Sequence, residues 1–499
     1  MIIFYHINSR KEEYKMKTLE ELTKERIFYH FNEISKIPRG SGNEKQISDY
    51  LISFAKNLGL ECFQDEALNV IIKKPAAKGY ENAPTVIIQG HMDMVCEKNN
   101  HKVHDFMKDP IKLIVKDDYI YADETTLGGD DGIAVAYAMA ILEDSTIAHP
   151  ALEILVTTDE ETGMTGASAL KGNHLDGKIV LNLDSEDEGK FWVSCAGGIR
   201  TQSTLPLKWI NKKENTKEYK IEVKGLKGGH SGAEIHLERG NANKLMGRLL
   251  KEISKEVDFN LISLNGGVKD NAIPREATAI ISIDQSKEKQ LYEVNSKIAG
   301  ILKQEFHKRD SELKVELSDF QEKSEKILSD DTTAKIINLS YLYPNGISTM
   351  SADIEGLVES STNLGVVITK EDAIEYHSAV RSSVASLKQE LIEKNKSLTE
   401  IFEGTFSTHG GYPEWEYKAD SKIREVCKEV YKRMYGKEAE VVAIHAGLEC
   451  GLLKERLGDL DMISFGPDIF DIHTPDEHLS ISSARRCYEY VLEVLKEIK

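Results

Sequence analysis

PTVIIQGHMDM (84–94) is the stretch on which the fold turns. A run of β-branched and other apolar residues, of strand length, ends abruptly in glycine, histidine and aspartate. Three more runs repeat the pattern. LEILVTT (152–158) leads into Asp159, Glu160 and Glu161, and KIVLNL (178–183) leads into Asp184, Ser185 and Glu186. LDMISFG (460–466) leads into a loop holding Asp468, Asp471 and His473. Between the first two runs, Gly128-Gly129-Asp130-Asp131-Gly132 precedes GIAVAYAMAILED (132–144), whose length and composition are helical. Strand runs alternating with helical patterns argue for an α/β domain, a sheet covered by helices. In such sheets the carboxyl ends of the strands form the binding crevice. The four clusters of His, Asp and Glu are therefore expected to converge.

Taken one at a time, these clusters have ordinary readings: a solvated acidic loop, a helix N-cap, a surface histidine. Their joint placement at strand ends points to a cation. Oxygen and imidazole donors without a thiolate suit zinc, cobalt or manganese better than calcium. His91 and Asp93, two apart on extended backbone, point to the same side. Asp93 can then accept the second ring N–H of His91 and fix its tautomer. Glu160 and Glu161 diverge if the backbone is extended there, so one can bind metal while the other faces substrate as a general base.

Composition narrows the partners. With 83 acidic and 64 basic residues the formal charge is −19, which disfavours nucleic acid and anionic membranes. No run approaches the roughly 20 apolar residues that span a bilayer. Six scattered cysteines in 499 residues, with no CxxC pair, read as reduced thiols of a cytoplasmic protein rather than a disulfide framework. The start, MIIFYHINSRKEEYK, lacks a signal-peptide core. Met16 opens a second plausible start, MKTLEELTKERIFYHF, which reads as an amphipathic helix, so residues 1–15 are expected to be dispensable.

Beyond about residue 200 the texture changes. TQSTLPLKW, EYKIEVKG and EATAIISID alternate like half-exposed strands, while QLYEVNSKIAGILKQEF and EDAIEYHSAVRSSVASLKQELIEKN read as long helices. Glycines and a proline in THGGYPEWEY (408–417) mark another junction. The expected organisation is a first part of an α/β catalytic domain at 1–199, an inserted α+β domain at 200–408, and the rest of the catalytic domain at 409–499.

Several stretches resemble the aminoacyl-histidine (Xaa-His, carnosine-type) dipeptidase family, within a clan of di-zinc aminoacylases, carboxypeptidases and dipeptidases. They include GHMDMVCEKN, TTLGGDDGIAVA, DEETGMTGA, NLDSEDEG, GLKGGHSGAEIH, MSADIEGLVESSTNLG, HAGLECG and HTPDEH. The likeness runs from ISKIPRGSGNEKQI (34–47) to IHTPDEHLSI (472–481). GGDDG departs from the family's more usual Gly-Ala-Asp-Asn-Gly but keeps the first acid and the flanking glycines.

The resemblance implies a mixed central sheet with two zinc ions at its edge and an inserted lid; cobalt or manganese could substitute. Asp130 would bridge the metals, with a cis peptide to Asp131. His91 and Asp184 would complete one site, and Glu161 and His473 the other. Glu160 would serve as general base for a metal-activated water, with Asp93 supporting His91. His230 would stabilise the oxyanion and Arg381 would hold the substrate carboxylate. Asn241, Asn271, His445 and Gly447 would be further substrate contacts. The implied activity is hydrolysis of dipeptides, Xaa-His among them, by a monomer or a homodimer. An N-acyl amino acid deacylase or tripeptide aminopeptidase of the same clan, and a non-catalytic metal-dependent peptide-binding protein, are the alternatives.

Overall fold

The computed structural model describes residues 18–322 and 324–499; the expectation for residues 1–15 and a start at Met16 lies outside them. The chain forms two compact units. The first holds the residues up to Trp192, Asp420–Val441 and Arg456–Lys499; the second holds Val193–Ala419 and Val442–Glu455. The boundaries thus fall at 192/193 and 419/420 rather than 199/200 and 408/409, with two more at 441/442 and 455/456. Strands Gly197–Pro206 and Thr405–Tyr412 pair with each other in the second unit's sheet, which carries both past the expected junctions. Gly410 and Gly411 occupy a register shift between His409 and Tyr412 instead of a linker.

The first unit is built on a mixed sheet. Within that unit its order runs Glu61–Gln64, Val70–Lys74, Leu152–Thr157, Val86–His91, Ile179–Asn182 and Asp461–Ser464. The four strands from Leu152–Thr157 to Asp461–Ser464 are parallel, so their carboxyl ends share one side. Val70–Lys74 joins them antiparallel. Val86–His91 and Leu152–Thr157 are buried at every position, as expected of strands covered on both faces. Helix Gly129–Glu143 packs on Val86–His91 and on helix Arg26–Ile34, and its residues 129–142 are all buried. A helix apolar on every side belongs in such a place. The expected single helix after Met16 is two. Thr18 and Glu21 form a capping box on Leu19–Leu22, and the Thr23 hydroxyl bonds the Glu20 carbonyl (3.1 Å) where that helix stops.

The second unit is an antiparallel sheet with helices, and its topology is duplicated. Thr216–Lys224, Ala242–Ile253, Phe259–Gly266, Ala277–Asp284, Glu288–Phe306 and Lys314–Asp319 run strand–helix–strand–strand–helix–strand. Gly197–Pro206, Asp330–Leu342, Val358–Thr369, Ala373–Ser382, Ala385–Ile401 and Thr405–Tyr412 repeat that succession, with the first set inserted after the opening strand. The sets meet through their second strands, at Gly266 opposite Val367, and the strand orders mirror one another across that seam.

One expectation fails in this unit. EDAIEYHSAVRSSVASLKQELIEKN is not one helix: Ala373–Ser382 is a strand and the helix begins at Ala385. The segment's helix-compatible residues are overridden by pairing on both sides, with Val358–Thr369 and Gly197–Pro206. No helix among the described residues is long and apolar enough to cross a membrane.

Candidate active site

The parallel strands deliver their ends as a cluster in the first unit. His91 closes its strand, and Asp184 lies two residues beyond Asn182. Asp130 opens the buried helix, where it and Asp131 have non-helical backbone angles and share a cis peptide bond. Glu161 lies in a turn after Thr157, with Gly163 and Met164 N–H groups on the Asp159 carbonyl (3.2 and 2.6 Å), not on extended backbone. Asp159 folds back in the left-handed region (φ 55°), and the tight turn replaces the expected divergence of Glu160 and Glu161. His473, also left-handed (φ 62°), comes from the loop after Asp461–Ser464.

The His91 Nε2 lies 3.1 Å from Asp130 Oδ1 and 3.5 Å from Asp184 Oδ1. His473 Nε2 lies 3.3 Å from Asp130 Oδ2 and 3.0 Å from Glu161 Oε2. The five side chains thus form two triads that share Asp130, one oxygen turned to each. Among the described residues no lysine or arginine ion-pairs with Asp130, Glu161 or Asp184. Glu161 Oε1 is buried without a hydrogen-bond partner. Three crowded carboxylates facing two imidazoles, with an orphaned oxygen among them, are a donor set that fits two divalent cations.

The charges respond to this crowding. Burial pushes the Asp184 and Glu161 carboxyls above their ordinary value, and the Asp130 charge adds to both. Burial also acts upward on Asp130, but His473 and His91 hold it well below the carboxylate range. Hydrogen bonds to Asp130 and Glu161 raise His473 to about 10. Glu186 is pushed up to about 8 by burial and by Asp130 and Asp184. Burial raises Asp131 well above the usual value, and its carboxylate accepts the His91 N–H (3.2 Å).

Asp93 sits behind His91, its Oδ1 3.3 Å from Nδ1. It also accepts the N–H groups of Glu160 (3.1 Å) and Glu161 (3.3 Å) and the Ser41 hydroxyl (2.8 Å). It therefore positions the acidic turn as well as the imidazole.

Two further residues around the cluster were not among the expected site residues, although ISKIPRGSGNEKQI and HTPDEH contain them. Arg39 donates to the carbonyls of Met92 and Asp93 (2.9 and 3.0 Å). Glu477 receives N–H groups from Leu127 (2.8 Å) to Asp130 (3.4 Å). Glu477 stands four residues after His473, within HTPDEH.

The other expected site residues lie in the second unit. The N–H groups of Gly232 (3.3 Å) and Ala233 (3.0 Å) donate to His230 Nδ1, leaving Nε2 as the protonated nitrogen of the neutral ring. Burial, then the nearby Arg381 charge, lowers the His230 pKa. A Cβ placed on Gly232 would lie 2.5 Å from the His445 carbonyl, 3.0 Å from His230 Cε1 and 3.1 Å from Arg381 Nε. His230, Arg381 and His445 therefore converge on that glycine. Arg381 is buried on a strand, donates to the Tyr412 hydroxyl (2.5 Å) and keeps its Nε without a partner. His445 Nε2 meets the Ser361 hydroxyl (2.7 Å), and burial drives its pKa to about 3, helped by Arg381. Gly447 leaves room for the Tyr412 ring, 2.7 Å from where its Cβ would stand.

Asn271 and Asn241 are placed differently. The Asn271 carbonyl holds the Ser231 N–H (2.9 Å) beside His230. The Asn241 side chain caps helix Ala242–Ile253 and donates to Asn345, Asn363 and Leu364, so its polar atoms are engaged inside the unit.

Known proteins resemble this chain along its whole length. Residues 87–497 match the family model for peptidase family M20/M25/M40. The cytosol non-specific dipeptidase of Escherichia coli (strain K12) is 39% identical over 97% of this chain and 99% of that protein. The chain belongs to peptidase family M20/M25/M40. This M20 peptidase is an enzyme acting on peptide bonds. Its fold matches the crystal structure of aminoacylhistidine dipeptidase from Vibrio alginolyticus with a TM-score of 0.93, 36% identity, and coverage of 97% of this chain and 98% of that one. The aminopeptidase PepT of Bacillus cereus, 17% identical with a TM-score of 0.54 over 97% of this chain and 100% of that one, shares the fold alone.

Proposed function

We propose that this M20 peptidase is a cytosolic dinuclear zinc dipeptidase whose substrates include Xaa-His dipeptides. The observation that carries the reading is the carboxylate of Asp130, which serves two His/carboxylate triads at once. Full-length likeness to the two dipeptidases supports the substrate class. Two zinc ions held by His91, Asp130 and Asp184 and by Asp130, Glu161 and His473 would lower the pKa of a bound water and polarise the scissile carbonyl.

The chain's own residues do the rest. Glu160 takes the proton from the attacking water and returns it to the leaving amine. Its placement follows from Asp93, which binds the Glu160 and Glu161 N–H groups together. His230 presents an N–H at Nε2, a donor suited to a developing oxyanion. Arg381 offers a guanidinium fork to the substrate carboxylate, and its unpartnered Nε is a donor in reserve. Both of these groups belong to the second unit.

A panel of dipeptides, tripeptides and N-acyl amino acids assayed with the zinc-loaded enzyme tests the reading. Dipeptides, including Gly-His and carnosine, should be hydrolysed best. Preference for tripeptides or acylated amino acids would overturn it in favour of a clan relative.

A further inference from the structure

Gly128 is gripped from both sides. Its N–H donates to Glu477 (3.1 Å) and its carbonyl accepts from the Arg39 guanidinium (2.5 Å). Both gripping residues are buried, Arg39 at 2% exposure and Glu477 at 2%. Each Glu477 oxygen takes two consecutive N–H groups: Oε2 those of Leu127 and Gly128, Oε1 those of Gly129 and Asp130. The carboxylate is thus filled by the backbone of the turn that presents Asp130. The Arg39 fork reaches the carbonyls of Met92 and Asp93, the segment that follows His91.

The glycines of the turn are shaped around this pair. Gly128 holds φ of +66°, and a Cβ there would stand 2.5 Å from Arg39 Nη2. A Cβ on Gly132 would stand 2.4 Å from the same nitrogen, and one on Gly129 would meet Glu477 Oε1 at 3.3 Å. Bulkier residues would displace the guanidinium or the carboxylate. Glu477 also lies four residues from His473, so the loop that supplies one ligand holds the turn that supplies the shared one. Three ligand segments, around His91, Asp130 and His473, are therefore tied through two side chains that cannot themselves reach a cation while so engaged.

We propose that Arg39 and Glu477 are positioning residues that clasp the Gly128–Asp130 turn and set the Asp130 carboxylate to serve both metal positions; this rests on the dinuclear reading above. The clasp acts before substrate arrives. It holds the bridging carboxylate in the geometry that the ions require, so their binding does not have to order the turn. The carboxylate is needed because an amide at 477 would turn an N–H₂ toward backbone N–H groups. The guanidinium is needed because an ammonium lacks the planar fork that spans three carbonyls.

Zinc affinity measured by competition with a fluorescent chelator, on the full chain and on E477Q and R39K, tests the clasp. Both variants should bind the more weakly held zinc about 10–100-fold less tightly. At saturating zinc their kcat should fall while KM for a dipeptide stays within about twofold, and E477D should recover part of the affinity. Near-ultraviolet circular dichroism checks the fold, and if E477Q does not fold, R39K decides by the same readout. A folded variant that binds both ions as tightly as wild type overturns the clasp and leaves the dinuclear reading standing. Failure of both variants to fold even at saturating zinc also overturns it, since the pair would then be scaffold. Wild-type chain that binds fewer than two ions refutes the dinuclear reading itself.

Discussion

Asp130 turns one oxygen to His91 and the other to His473, and Glu160 and Glu161 hang from the same Asp93 carboxylate. Adjacent acids can therefore hold separate tasks. On the proposed roles Glu160→Gln removes the base but no ligand, so we expect both metals to remain and kcat to fall by about 10²–10⁴-fold. Metal analysis beside turnover checks this, and retained turnover would remove Glu160 as base. His230→Ala removes the oxyanion donor proposed above, whose ring is held by two backbone N–H groups. We expect kcat to fall by about 10²–10³-fold with metal content unchanged. His445 yields a pH effect of definite sign. Burial, with Arg381 beside it, depresses its pKa from 6.5 to about 3 in the fold, so the unfolded chain takes up that proton first as pH falls. The stability this group contributes is full above pH 6.5 and is lost progressively toward pH 3. Urea unfolding should show wild type losing more stability than His445→Asn between those limits; equal losses would mean that His445 is not held neutral.

At the scale of elements, the legible part was the run that ends in a ligand. PTVIIQG, LEILVTT, KIVLNL and LDMISFG announce strands because burial on both faces selects unbroken apolar runs, and each ends where polar residues begin. Ala373–Ser382 was illegible because its strand state comes from two neighbours far away in sequence, Val358–Thr369 and Gly197–Pro206. The acidic turn at 159–163 is hidden from the sequence for a related reason. Its shape depends on hydrogen bonds to the Asp159 carbonyl and to Asp93, which no local pattern reveals. Arg39 and Glu477 lie in the family-like stretches ISKIPRGSGNEKQI and HTPDEH but act on backbone groups rather than on a ligand, so no ligand chemistry singles them out. Asn241 shows the converse, a polar residue in a recognisable motif whose side chain is committed to a helix cap. Asn241→Ala should cost about 1 kcal/mol or more in stability, from the lost cap and the partners left unsatisfied, with KM unchanged within about twofold. A thermal melt and a KM measurement separate this from a substrate contact, which would raise KM.

At the scale of the whole molecule, the chain divides into two units of different design. The first unit offers strand ends and one buried helix, which fix cation ligands on rigid elements. The second offers a duplicated antiparallel sheet whose strand Ala373–Ser382 carries Arg381, and His230 and His445 meet Arg381 around Gly232. Since the ligands gather only in the folded first unit, metal binding should stabilise the chain. Chelation should therefore lower the melting temperature, and zinc should restore it. The central claim, a dinuclear dipeptidase, is tested most directly by titrating zinc into chelator-stripped chain while following hydrolysis of Gly-His. The expected result is no turnover without metal and a plateau at two zinc ions per chain. Full turnover by the stripped chain, or two bound zinc ions with no dipeptide hydrolysis, would contradict it.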